Sequence, residues 1–364
     1  MSDQLWQNAA NAIISAGQIP IPANDTLLEL LKTIMNEEQA HFIQNFDKPM
    51  NIDEIKAKVQ MDDNALNAML DELMHNGIMT GIPSKRTGQV IYRLMPPLPG
   101  LFEFTLMRGE TTDKTKKIAG LFDKMFGELS ELVQGSYDDV VEMFKTVPPI
   151  TRVVPVEQEI MEKVDHIMPY EDVNLIVDKF DTIAVATCYC RHEKSLLGKE
   201  CSVTDEKENC LFFGKTARFV IDYQFGKQIT QDRAKQILRQ SEEAGLVHKS
   251  FHDKQDIERD EFAICNCCKC CCGTFELYYR GAAPAHTFTS YVAKADQDLC
   301  TECETCVDMC PMEAISLEDG LTIEESYCIG CGVCAYNCPA DAITLQRTGK
   351  REVFVPPKKV ASAA

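Results

Sequence analysis

The stretch Cys300-Thr301-Glu302-Cys303-Glu304-Thr305-Cys306-Val307-Asp308-Met309-Cys310-Pro311 recurs in outline 28 residues later as Cys328-Ile329-Gly330-Cys331-Gly332-Val333-Cys334-Ala335-Tyr336-Asn337-Cys338-Pro339. Each copy reads C-x2-C-x2-C-x3-C-P, and the match runs on past the cysteines, Met312-Glu313-Ala314-Ile315 against Ala340-Asp341-Ala342-Ile343. Each half predicts a cysteine-rich loop, a short helical turn and a brief strand ending in Ser316-Leu317 or Thr344-Leu345. Two copies related by pseudo-symmetry can bury each other's apolar face, which a single copy of this size cannot do.

Three cysteines at steps of three let a loop wrap one face of an iron–sulfur cube, and the fourth, followed by proline, points toward a second one. Residues 292 to 347 resemble the bacterial two-cluster ferredoxins. That resemblance implies one [4Fe-4S] cluster on Cys300, Cys303, Cys306 and Cys338, and another on Cys328, Cys331, Cys334 and Cys310. A pair of zinc sites is the alternative, but zinc modules tend to separate their cysteine pairs by a longer loop.

Working upstream, ten further cysteines remain of the eighteen, and none precedes Cys188. One group is Cys188, Cys190, Cys201 and Cys210, and the other is Cys265, Cys267, Cys268, Cys270, Cys271 and Cys272. The first follows Thr182-Ile183-Ala184-Val185-Ala186, which alternates like a strand. Arg191, His192 and Lys194 beside it could offset thiolate charge, with His192 outside the ligand set. Four thiolates fill a cube, so six cysteines within eight residues imply spare thiols or shared duty with the first group. One or two extra [4Fe-4S] clusters built from both groups are the favoured reading, over zinc or redox thiols; spacing does not assign individual ligands. Cys271-Cys272-Gly273 is similar to one element of heterodisulfide-reductase-type subunits, whose second element is missing here. The layout as a whole resembles the multi-cluster 4Fe-4S binding proteins of anaerobes, which implies an oxidoreductase subunit or electron carrier.

The segment joining the two upstream groups predicts helices over Leu211 to Phe225 and over Thr230 to Gly245, with Thr230 as cap and Gly245 as stop. In the cysteine-free half, Asp25-Thr26 caps a helix running to about Asn45. A short helix follows over Asn51 to Val59, then another over Asp62 to Asn76. Ile78 to Thr80 and Gln89 to Leu94 read as strands of a wing, and this order resembles winged helix-turn-helix domains. Asp62 to Asn76 carries Asp62, Asp63, Asp71 and Glu72 and no Lys or Arg, so the resemblance implies protein docking or scaffolding rather than DNA reading. Leu101 to Phe104 reads as a short strand or loop, and Lys116 to Val133 and Tyr137 to Lys145 as amphipathic helices.

The expected fold class is α+β. It comprises a winged-helix-like domain at 1–95, a helical linker region at 96–155 and a cysteine-rich metal-binding domain at 156–291. A ferredoxin domain at 292–347 and an extended tail at 348–364 complete it. Length and a 45% hydrophobic share are ample for such cores. The net charge of −19 disfavours nucleic acid as a partner. From Ala295 to Gln346 there are eleven carboxylates and no Lys or Arg, a surface suited to a basic redox protein or the other subunits of an enzyme complex. No run of eighteen apolar residues and no leader-like N-terminus are visible, so a cytoplasmic, membrane-free protein is expected. Thiols in a reducing compartment then point to metal rather than disulfides. No Gly-x-Gly-x-x-Gly after a strand, phosphate loop or Gly-x-Ser-x-Gly occurs. The expected role is an electron-transfer subunit without its own organic-substrate site. The rivals are a redox-sensing regulator and a reductase acting through an incompletely ligated cluster.

Overall fold

The computed structural model describes residues 2–17, 19, 21–161, 167–168, 170–252 and 261–360. Met1 and the last four residues of the expected tail lie outside the described residues. The architecture mixes helices with sheets, consistent with α+β. The chain divides into two units that interleave along the sequence. One takes Met1–Leu129, Ala186–Lys199 and Lys215–Lys227, and the other takes Ser130–Val185, Glu200–Gly214 and Gln228–Ala364.

The first unit opens with helices Ser2–Ser15, Asp25–Ile34, Glu37–Ile43, Ile52–Lys56 and Asp63–His75. Strands β1 (Met79–Pro83) and β2 (Val90–Leu94) then pair antiparallel, with Met79 opposite Leu94. The single helix expected from Asp25 to about Asn45 is two helices. Met35 leaves the helix in extended geometry, and Asn36 starts a new one through a capping box with Gln39. The first of these is capped by the Asn24 side chain, which accepts from the Leu27 amide, rather than by Asp25-Thr26. Phe102–Leu106 is helical, not a strand or loop, and it puts Phe102 and Phe104 into an aromatic cluster. Phe102 packs edge-on against Phe122, Phe126 and Tyr189 with ring centroids 4.9, 5.2 and 5.5 Å away. Each such pair contributes about 1 kcal/mol beyond burial. Tyr189 lies between Cys188 and Cys190, so this packing fixes the segment that carries those two cysteines.

The second unit is framed by an eight-stranded sheet. Its strands are β3 (Thr151–Val154), β4 (Ile183–Ala186), β5 (Cys210–Phe213), β6 (Gly226–Ile229), β7 (Val247–His252), β8 (Glu261–Cys267), β9 (Ala285–Ala295) and β12 (Ile343–Val355). Between the last two come the small antiparallel pair β10 (Ile315–Ser316) and β11 (Thr322–Ile323). The order in the sheet is β12-β9-β3-β7-β8-β5-β4-β6. Leu211 to Phe225, expected to be one helix, starts as β5: Cys210 to Phe213 are all buried, and Leu211 pairs with Ile264. A run apolar on both faces suits a covered strand better than a helix. Gly214, at φ +57°, ends this stretch in a turn, and the helix Gly214–Asp222 that it opens belongs from Lys215 on to the first unit. Helix Gln231–Glu243 follows, capped by Thr230, with Ala234, Ile237 and Leu238 in a core with Val154, Leu211 and Ile264. The residues from 348 to 355, read as part of an extended tail, form the second half of β12. They pair with β9 across a register shift between Arg347 and Arg351.

Candidate iron–sulfur site

The 28-residue repeat is a repeat of backbone conformation as well as of sequence. Glu302 and Gly330 (φ +55° and +66°), Glu304 and Gly332 (+63° and +82°), and Glu313 and Asp341 (+52° and +50°) are matched pairs in the left-handed region. The loops so shaped lead into the short helices Thr305–Met309 and Val333–Tyr336. Hydrogen bonds to sulfur repeat too: the Ala314 amide donates to Cys310 Sγ and the Ala342 amide to Cys338 Sγ, each at 3.3 Å. The Glu302 amide reaches Cys300 Sγ, and the Ala293 amide reaches Cys328 Sγ, both at 3.4 Å. Such donors stabilise thiolate charge and raise the potential of a cluster held there.

Two cavities result, one per quartet of the expected ligands. One, of about 360 Å³, is lined by Cys310, Cys328, Cys331 and Cys334 together with apolar Ile315, Ile323 and Ile329. The other, of about 310 Å³, is lined by Cys300, Cys303, Cys306 and Cys338 with Leu317, Leu321 and Ile343. Four soft thiols around an apolar void are the donor set of an iron–sulfur cluster, so the residues fit that group. In each quartet the cysteine preceding proline comes from the opposite half of the repeat, which is why neither half suffices alone.

The two cavities differ in exposure. Cys310, Cys328, Cys331 and Cys334 are buried, whereas Cys303 is exposed and Cys300 and Cys338 are partly so. Burial pushes the Cys331 thiol up to about 12. Hydrogen bonding with Thr305 draws the exposed Cys303 thiol down. All eleven carboxylates of the 295–346 stretch are exposed, so the negative charge faces outward. Among the described residues, two have a lysine partner in an ion pair, Glu325 with Lys294 and Glu313 with Lys358.

Arg351 falls in the stretch expected to be an extended tail. The β12–β9 pairing instead brings its guanidinium to the carbonyl oxygen of Cys328 and to that of Tyr291, the latter at 3.2 Å. No local sequence signal announces this, because it depends on a strand pairing across more than fifty residues.

The upstream cysteines do not gather in one place. Cys188 and Cys190 belong to the first unit, where the His192 ring bonds the Glu110 carbonyl oxygen at 2.9 Å and Lys194 pairs with Glu193. His192 is buried. In the second unit, Cys201 of the first group meets Cys268, Cys270 and Cys271 of the second, their four sulfurs within 4.8 Å of one another. Cys267 hydrogen-bonds Cys272, which together with burial pushes its thiol well up, while the Lys249 ammonium nearby opposes the shift. Cys210 starts β5 and Cys265 lies on β8 opposite Lys249. Lys269, in the middle of the six-cysteine turn, donates to the carbonyl oxygen of Asp308, between Cys306 and Cys310.

Comparison with known proteins agrees with this geometry at the C-terminus. Residues 299–342 match the family model described as a 4Fe-4S dicluster domain. A probable ferredoxin from Methanosarcina thermophila is 60% identical over 37 residues, covering 10% of this chain and 64% of the relative. The chain thus spans a little under two thirds of that relative's length. No solved structure matches. The C-terminal segment is a ferredoxin-type 4Fe-4S domain, which supports an iron–sulfur electron-transfer role. Among the described residues, no helix is long and apolar enough to cross a membrane.

Proposed function

We propose that the protein relays single electrons through two [4Fe-4S] clusters in the 292–347 domain, as a subunit of an anaerobic oxidoreductase complex. Cys300, Cys303, Cys306 and Cys338 hold one cluster, and Cys310, Cys328, Cys331 and Cys334 hold the other. The observation that carries this reading is the pair of cavities, each lined by one of these quartets. When bound, each cluster accepts and releases one electron at a time. The chain's own residues space the two groups, donate amides to the cysteine sulfurs and keep water from the inner quartet.

The exposed Cys303 side is where a partner exchanges electrons, because transfer slows with distance and this quartet alone reaches the surface. The exposed carboxylates around it favour a redox protein with a basic face. Residues 1–95, with helix Asp63–His75 followed by the β1–β2 hairpin, support a winged-helix-like domain. The acidic residues of that helix favour docking to protein over DNA. The upstream cysteines add metal beyond the two clusters, and eighteen cysteines with no disulfide among them favour a reducing, cytoplasmic location. No organic-substrate site of its own is assigned to the chain.

The test is electron paramagnetic resonance of the full chain, purified without air and reduced with dithionite, alongside Cys303→Ala. Two interacting S = 1/2 signals in the wild type, reduced to one altered signal with slowed electron transfer in the variant, are expected. Wild-type transfer rates in a correctly folded Cys303→Ala variant contradict the proposal.

A further inference from the structure

We propose that Cys201, Cys268, Cys270 and Cys271 hold a single zinc ion, separate from the iron–sulfur clusters. The sulfur of Cys270 lies 3.6 Å from that of Cys201, 3.6 Å from that of Cys268 and 3.5 Å from that of Cys271. Cys201 and Cys268 are 3.7 Å apart. A zinc ion bonds thiolate sulfur at about 2.3 Å in a tetrahedron, whose edge is then about 3.8 Å. The quartet already has nearly that edge. A cube of iron and sulfide carries an iron at each of four corners, so its thiolates stand much farther apart than those around one ion. The ferredoxin-type quartets instead line two separate cavities without drawing their sulfurs so close together. Among the described residues, no other group of three or more metal-binding side chains draws its ligand atoms within 4.8 Å of one another. This departs from the cluster reading of the upstream cysteines and does not depend on the proposed electron path.

The local fold explains how the four sulfurs meet. The Cys272 amide donates to the Cys268 carbonyl oxygen at 3.1 Å, curling the chain into a tight turn. The turn brings the sulfurs of Cys268, Cys270 and Cys271 together, and Cys201 arrives from a separate loop. Zinc has no accessible redox change, so an ion here is a staple and not a station for electrons. It ties the Cys201 loop to the turn that precedes helix Gly273–Tyr279. Lys269 of the same turn bonds the Asp308 carbonyl oxygen, so the staple also steadies the support of the ferredoxin-type segment. Binding requires the four thiols to give up their protons, leaving a site of net charge −2.

The experiment uses the full chain, made without air in medium holding both zinc and iron. Zinc, iron and acid-labile sulfide are measured per chain, and the zinc X-ray absorption edge reports its ligands. About one zinc per chain, bound by four sulfurs at about 2.3 Å, is expected. Cys201→Ser and Cys270→Ser should each lower zinc occupancy at least tenfold, with iron and sulfide at wild-type levels. Cys201→His should retain zinc, because three cysteines and one histidine are also a zinc set, and this variant separates lost binding from lost folding. Cys303→Ser should do the reverse, losing iron and sulfide while keeping zinc, so failure of the cluster assignment reads out separately. A wild type without zinc overturns the proposal. So does a Cys270→Ser variant that loses iron and sulfide in equal numbers, or one that loses no metal.

Discussion

Glu304 and Gly332 stand 28 residues apart and share one left-handed backbone conformation, at φ +63° and +82°, each opening the short helix of its half of the repeat. Glycine adopts this geometry freely, whereas a side chain at such a position costs about 1–2 kcal/mol. Glu304→Gly should therefore stabilise its loop by up to about 1 kcal/mol, after the greater unfolded-state freedom of glycine is deducted. Loss of cluster absorbance in denaturant should be slower in the variant. Faster bleaching contradicts the strain argument.

Gly330 and Gly349 separate backbone strain from collision. Both have positive φ, +66° and +79°. A Cβ on Gly330 would lie 2.2 Å from the Tyr291 carbonyl oxygen and 2.5 Å from Thr289 Oγ1, while one on Gly349 would meet nothing within 4 Å. Gly349→Ala is expected to cost about 1 kcal/mol and to keep its clusters. Gly330→Ala should cost about 3 kcal/mol or more and lower cluster content. Equal melting shifts in the two variants would show that close approach to β9 is unimportant.

Arg351 holds the Cys328 carbonyl oxygen with its guanidinium beside the inner quartet. Reduction adds negative charge to a cluster there, and a nearby cation favours that form. Arg351→Gln should lower the potential of this cluster by tens of millivolts, on the order of 50 mV for one charge at an effective dielectric near 20. A redox titration followed by paramagnetic resonance measures the shift. An unchanged potential removes Arg351 from the electrostatics of the cluster.

Glu103 supplies a pH test confined to the first unit. Burial pushes its carboxyl up from 4.5 to about 7, partly opposed by the Gly100 amide that it accepts. The folded state thus holds a proton that the unfolded chain has released. The stability linked to this group is full below about 4.5 and is lost as pH rises through about 7. Glu103→Gln should remove that decline between the two values. Trp6, the sole tryptophan and buried in the first helix, reports it as a urea midpoint followed by fluorescence. Parallel midpoint curves for wild type and variant refute the assignment.

The C-terminal repeat was legible because its chemistry is local: eight cysteines and two prolines at fixed steps specify loops whatever lies around them. Helix Gln231–Glu243 was legible for the same reason, since Thr230 and Gly245 mark its ends. Residues Leu211 to Phe213 were misread because a short apolar run suits strand or helix equally, and only pairing with β8 decides. The break at Met35–Asn36 was hidden by continuous apolar spacing, although Asn36 and Gln39 spell a capping box. Arg351 and the meeting of Cys201 with Cys268 to Cys271 depend on distant partners. No window of sequence contains them.

The most direct test of the cluster account is iron and acid-labile sulfide per chain, measured in the full protein prepared without air. The wild type is compared with a variant in which Cys300, Cys303 and Cys306 are all serine. The account predicts that the variant has about four fewer irons and four fewer sulfides, as one lost cube requires, while the buried quartet keeps its own. Equal iron and sulfide in both proteins, or zinc alone in either, contradicts it.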